Sequence, residues 1–274
     1  MEVLQASREK FICYSSKEVN TISCKELLYE DLGIKSLNSL GFLVVKNVLP
    51  KNKILNARNA YFGLFRKGEY QKDNENWIHL KNHEHSHGCN NHPSREFLNT
   101  NEFKDIVYSK KLFEISKKIL KTENAKLSPR MIVRSFSKLS ERCTYAHRDK
   151  EYFKSQNPHN VATCWIPLGP VGTLFGQLIY LLGSQFEESK IDNLVNSDKI
   201  ISKDLGNLSR NLNLNWNRPI IEEGDVIFHS LEIVHASFDS NSNIPRLSID
   251  LRFAASAEDH DPRWSNPWRG DDGL

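Results

Sequence analysis

Past about residue 128 the apolar pattern of this chain changes period, and that change limits the fold more than any other feature. Upstream, apolar residues recur at the spacing of a helix face. Downstream they come in short runs separated by Gly, Pro, Asn and Ser. These runs predict strands at 129–137, 142–147, 161–168, 174–182, 218–221, 225–229, 232–238 and 246–254. Eight short strands behind an α-rich half suggest a mainly β (α+β) fold. The expected architecture is a double-stranded β-helix, a jelly-roll of the cupin kind, with N-terminal helices packed on one sheet.

The first half supplies those helices. Leu40 to Pro50 is a β-rich run ending at a proline, where a helix can begin. From 51 to 68, residues Ile54, Leu55, Ala57, Ala60, Tyr61, Leu64 and Phe65 fall at helical spacing. Residues 102–121 form a second amphipathic segment, one helix or a pair. Residues 1–35 are polar with no clear period and read as a peripheral arm with room for one short helix. The Asn-, Ser- and Lys-rich stretch 184–216 reads as an insertion near the mouth of a 128–254 core. The tail from Asp261 is aromatic but unperiodic, and is expected to pack across the barrel. The whole chain, 1–274, reads as one domain.

Composition narrows the partners. Hydrophobic content of 39% and charged content of 26% are those of a soluble globular chain. A net charge of +3, with no basic run interleaved with aromatics, gives no footprint for nucleic acid. Nothing approaches eighteen apolar residues in a row, so no membrane span is expected. The start, Met1 to Lys10, lacks the apolar segment of a signal peptide. The five cysteines (13, 24, 89, 143 and 164) form no Cys-x-x-Cys pair, which points to reduced thiols and a cytoplasmic setting. Cys164 sits on an apolar strand and is expected in the core.

Two short stretches carry chemistry. His147 and Asp149 lie two apart, so on an extended segment both side chains point the same way. His235, on the later strand 232–238, offers a third ligand. Two imidazoles and one carboxylate with the other positions open are the donor set of non-haem Fe(II) oxygenases. Arg246 follows eleven residues after His235, on an alternating strand. A guanidinium there can take a carboxylate bidentately, as a 2-oxoglutarate cosubstrate requires. Each residue alone has an ordinary alternative. His147 and Asp149 could form a surface turn, His235 a satisfied core histidine, and Arg246 the opening of an edge strand. Their joint spacing is what weighs against those readings. Ser237 shares the face of His235 and can donate to the cosubstrate beside Arg246. Thr163 and Arg134 lie on strands that should line the barrel, Arg134 facing either the cosubstrate or solvent.

His147-Arg148-Asp149, Trp165 to Leu168, Gly224-Asp225, His235, Ser237 and Arg246 together resemble the motif of the phytanoyl-CoA dioxygenase family of Fe(II)/2-oxoglutarate oxygenases. The resemblance runs from roughly Leu40 to the end of the chain, and no motif position is missing. It implies iron on His147, Asp149 and His235, and 2-oxoglutarate and dioxygen in the open positions. It also implies decarboxylation to succinate and CO2 with hydroxylation of a small molecule, and a tryptophan, here Trp165, near the cosubstrate. Relatives with a small residue in place of the carboxylate are halogenases; Asp149 therefore favours hydroxylation or desaturation. A cupin-like protein that binds a metal or small ligand without turnover is the alternative. Lys81, Arg95, Arg134 and Lys150 near the expected mouth suggest a polar or anionic substrate. The His-rich loop of 70–100 (His79, His83, His85, His87, His92) has no cysteine at zinc-finger spacing and is expected to cover the pocket rather than bind metal. His229, six residues before His235, is the less favoured ligand, because only His235 places Ser237 and Arg246 correctly.

Overall fold

The computed structural model describes residues 1–6, 9–16, 20–29, 34–81, 92–140, 144–155 and 157–267. Two sheets face one another. The smaller has five strands in the order β1 (Glu2–Ala6), β2 (Glu9–Ser16), β11 (Trp216–Pro219), β10 (Leu178–Leu181) and β13 (His235–Ser237). The larger runs β3 (Thr21–Ser23), β4 (Phe42–Lys46), β12 (Val226–Ser230), β9 (Val161–Pro167), β14 (Arg246–Ala254) and β7 (Lys126–Leu127), with β8 (Ile132–Phe136) also pairing β14. A separate hairpin joins β5 (Tyr70–Asp73) to β6 (Asn76–His79). This is the curled double sheet of a double-stranded β-helix.

Alternation along the strands decides which residues fill the barrel. On β10, Leu178 and Tyr180 join the interior cluster with Phe42, Val44, Trp165, Ile227 and Ile233. Their neighbours Ile179 and Leu181 pack outside the small sheet. Phe42 stacks on Tyr180 at 4.3 Å and joins the two sheets across the interior. On β14 the odd-numbered residues Leu247 to Phe253 lie in the outer core beneath the helices. Arg246, Ser248, Asp250 and Arg252 alternate with them, and so face inward.

The helical layer lies against the outer face of the large sheet. It comprises α1 (Cys24–Tyr29), α2 (Ile34–Leu40), α3 (Lys51–Gly63), α4 (Pro93–Phe97), α5 (Asn101–Val107) and α6 (Lys110–Leu120). Helix α3 begins after Pro50 as expected, but stops at Gly63 rather than 68, and Gly68 turns the chain at φ +89°. Segment 102–121 resolves as the pair α5 and α6, broken at Tyr108-Ser109. Thr100 caps α5 through Phe103 N, and Lys121 closes α6 in the left-handed region. The turn before β12 needs Gly224: its φ is +94°, and an added Cβ would stand 2.4 Å from Leu49 O.

Three expectations meet a different outcome. In the stretch read as a peripheral arm, the described residues include α1, the short helix there was room for, but also strands: β1 and β2 extend the small sheet through a parallel pair with β11, and β3 pairs with β4. Within 184–216, α7 (Glu188–Asp192) and α8 (Leu205–Leu212) bury Ile191, Leu205, Leu208 and Leu212 against the outer face of the small sheet. The strand expected over 174–182 shortens to Leu178–Leu181, because Gly172 and Gly176 turn the chain with φ of +124° and +73°. Of the strand expected at 142–147, residues 142 and 143 lie outside the described residues. Ala146 and His147 form single bridges to Ser202 and His235. Among the described residues no helix is long and apolar enough to cross a membrane.

Candidate metal centre

His147 and His235 meet as a backbone pair. Each N–H donates to the other's carbonyl at 3.0 Å, and the rings stand 4.2 Å apart. The Nδ1 of His147 lies 2.8 Å from Tyr145 O, and that of His235 3.1 Å from Ile233 O. A carbonyl only accepts, so both rings carry their proton on Nδ1 and present a bare Nε2. Burial, reinforced by a neighbouring imidazole, pushes each ring's pKa down to about 3. Both are therefore neutral at pH 7, the form that ligates metals.

Asp149 opens a single 3-10 turn, Asp149–Glu151, and its backbone carbonyl accepts the N–H groups of Tyr152 and Phe153. Its Oδ1 stands 3.9 Å from His147 Nε2 and 3.8 Å from His235 Nε2. The three ligand atoms lie within 4.8 Å of one another, and all three residues are buried. Two neutral imidazoles and a carboxylate converging on one point fit a divalent first-row metal with open positions.

The large sheet holds this carboxylate in place. His229 on β12, Thr163 on β9 and Arg252 on β14 are direct cross-strand partners, and so form one row on one face. All three donate to Asp149: Thr163 Oγ1 at 2.5 Å and His229 Nε2 at 3.1 Å to Oδ2, Arg252 Nη2 at 2.9 Å to Oδ1. A carboxylate only accepts, so the proton of His229 sits on Nε2, and its Nδ1 accepts the Tyr180 hydroxyl at 3.0 Å. Burial alone would raise the pKa of Asp149, but Arg252 and the His229 bond hold it well below the usual carboxylate range. Oδ2 is thus occupied by two protein donors, while Oδ1, which also accepts Arg252, faces the two imidazoles.

The remaining expected site residues lie in the same barrel. Arg246 is buried on β14, its guanidinium 4.7 Å from the Phe136 ring and 5.8 Å from that of Trp165. Ser237 Oγ accepts Thr144 N at 2.7 Å, which fixes the segment leading to His147. Thr163, expected beside the cosubstrate, spends its proton on Asp149 because the register sets it opposite His229 and Arg252. Two charges expected to meet an anionic substrate are engaged within the chain. Arg134 contacts Asp250 at 3.4 Å, and Lys150 is ringed by Glu188, Glu232 and Asp192 at 2.7, 3.0 and 3.8 Å. His83, His85 and His87 lie outside the described residues. His79 bonds Ser137 Oγ at 2.7 Å, and His92 caps α4 through Ser94 N. His229, Tyr180 and Arg252 were not expected in supporting roles. The period-two spacing from Arg246 to Arg252 was the available signal for the last.

A two-histidine, one-carboxylate centre in a double-stranded β-helix defines the class. A family model described as phytanoyl-CoA dioxygenase (PhyH) matches residues 37–248, and the chain belongs to this family. Among solved structures, the non-haem α-ketoglutarate-dependent carbocyclase SnoK of nogalamycin biosynthesis is similar over 81% of this chain and 82% of its own, at 14% identity and TM-score 0.57. The epimerase SnoN of the same biosynthesis is similar over 80% and 81%, at 14% identity and TM-score 0.52. AviO1 from Streptomyces viridochromogenes Tue57 is similar over 84% and 96%, at 16% identity and TM-score 0.50. At these identities the likeness speaks for the fold alone. No curated protein matches the chain.

Proposed function

We propose that this protein is an Fe(II)- and 2-oxoglutarate-dependent dioxygenase that hydroxylates a small molecule. The observation that carries the reading is the convergence of His147, Asp149 and His235 inside a barrel that also buries Arg246. Iron held there with 2-oxoglutarate and dioxygen would supply the oxidising power, with decarboxylation to succinate and CO2. The chain's own part is geometric. His147 and His235 present neutral Nε2 atoms, and Asp149 presents Oδ1 while His229, Thr163 and Arg252 fix its plane. Arg246 would take the distal carboxylate of the cosubstrate as a fixed fork, with Ser237, Trp165 and Arg134 bordering it. Burial of the three ligands keeps bulk water from the reacting atoms.

Two structural neighbours are an α-ketoglutarate-dependent epimerase and carbocyclase, so product analysis must separate oxygen insertion from inversion or ring closure. A barrel that only binds a metal or small ligand has no use for a buried guanidinium as cosubstrate anchor. The test is anaerobic difference spectroscopy with Fe(II) and 2-oxoglutarate. The expected result is a weak visible charge-transfer band, lost in His235→Ala and much weakened in Arg246→Leu. Iron bound without that band would remove the oxygenase reading and leave the binding protein.

A further inference from the structure

The family match ends at residue 248, yet two later features reach the metal carboxylate. Arg252 touches Asp149 directly. Its Nε and Nη1 have no hydrogen-bond partner among the described residues, so hydrogen bonds beyond Nη2 do not orient the guanidinium. What lies against it is the Trp264 ring, 5.1 Å from the guanidinium carbon, within range for a cation–π contact. Trp264 is 1% exposed despite lying ten residues from the end of the chain.

The same tail grips the turn that carries Asp149. Trp264 Nε1 donates to Tyr152 O at 3.2 Å, and Arg263 Nη2 donates to the same carbonyl at 3.0 Å. Asp261 Oδ2 accepts Lys154 N at 2.6 Å. The Trp264 ring meets Phe153 edge-on, with centroids 5.3 Å apart. Asp149 is thus addressed from two directions by one short segment: its carboxylate through Arg252, its backbone through residues 152–154. Trp264 and Phe153 also belong to the core cluster beneath the helices, so stability and metal affinity have to be read separately.

We propose that Asp261, Arg263 and Trp264 are positioning residues for the metal carboxylate. They act through Arg252 and the 152–154 backbone, and set how tightly the centre holds its ion. The proposal rests on the metal reading of His147, Asp149 and His235. The probe is Co(II) alone, titrated into the full chain by calorimetry, with its visible spectrum reporting coordination. Trp264→Leu and Asp261→Ala should each weaken Co(II) by roughly ten- to a hundredfold, the range for residues that orient a ligand. Trp264→Phe, which keeps a ring, should recover most of the loss. Leu205→Ala, in the core outside the small sheet, serves as a destabilising control and should leave Co(II) affinity unchanged. Parent-like affinity in both Trp264→Leu and Asp261→Ala would overturn the proposal while leaving the metal reading intact. So would an equal loss in Leu205→Ala. A parent chain that binds no Co(II) would overturn both.

Discussion

Lowering the pH from 7.0 to 5.5 should unsettle the metal-free protein through two buried imidazoles. His147 and His235 ordinarily titrate near 6.5, but both are pushed down to about 3 in the folded chain. Between these values the unfolded chain binds two protons that the folded chain refuses, so stability falls as pH falls. With an unfolded pKa near 6.5, each ring costs about 1.25 kcal/mol over this interval, and the pair about 2.5 kcal/mol. His229, also pushed down by burial, adds in the same direction, whereas Asp250, raised by burial, opposes it. Asp149 takes no part here, because its depressed pKa makes its own contribution vanish only well below pH 3.8. The clean quantity is therefore a difference. Urea unfolding in chelator at both pH values, for the parent and for His147→Gln/His235→Gln, cancels the groups that do not touch the two rings, leaving the rings and the smaller shift they impose on His229. The parent should lose about 2.5 kcal/mol more than the variant. A difference below about 0.5 kcal/mol would show that the rings are not held neutral by burial, and the argument for bare Nε2 ligands would fail with it.

Other perturbations test the support of the centre and of the fold. Asp149→Asn should abolish metal binding in calorimetry, and it leaves the buried Arg252 without its carboxylate, a loss of about 3–5 kcal/mol in denaturant unfolding. His229→Leu removes the acceptor of the Tyr180 hydroxyl and one donor to Asp149. It should cost about 1–3 kcal/mol in unfolding and weaken Co(II) by roughly tenfold or more. Gly224→Ala places a Cβ against Leu49 O at positive φ. It should lower stability by about 1–3 kcal/mol without changing the affinity of any chain that still folds.

Much of this was legible before any coordinates. Most strands expected from 128 onward recur with shortened or shifted ends, because strands buried on both faces read as continuous apolar runs that mark an element but not its ends. The His-x-Asp pair and the later histidine needed only parity along an extended chain. The misses have a common cause. Burial alternates over the short run from Phe11 to Tyr14, with Phe11 and Cys13 buried and Ile12 and Tyr14 exposed, too short a run to give the polar segment a period. Their sheet partner β11 lies about two hundred residues away, and no local pattern announces it. The roles of Thr163, His229 and Arg252 depend on which residues stand opposite one another across three strands. Register of that kind is set by the assembled sheet, not by any one segment.

The two supports of the centre explain why it should be sensitive to how the sheets meet. His147 and His235 are paired on the edge strand of the small sheet. Asp149 sits on a turn whose carboxylate is gripped by three adjacent strands of the large one. The donor set is therefore complete only when the sheets stand at the right separation. Inside the barrel Phe42 stacked on Tyr180 spans the two sheets, and Tyr180 in turn holds His229. An ion that binds only this arrangement must stabilise it, by an amount that grows with the logarithm of its concentration over its Kd. Loss of the Phe42 ring should thus weaken metal binding as well as the core, even though Phe42 touches no ligand. A control such as Leu205→Ala, outside the barrel, should lower stability alone. Metal affinity that follows overall stability equally in both would mean that the sheets are held apart by something other than this aromatic pair.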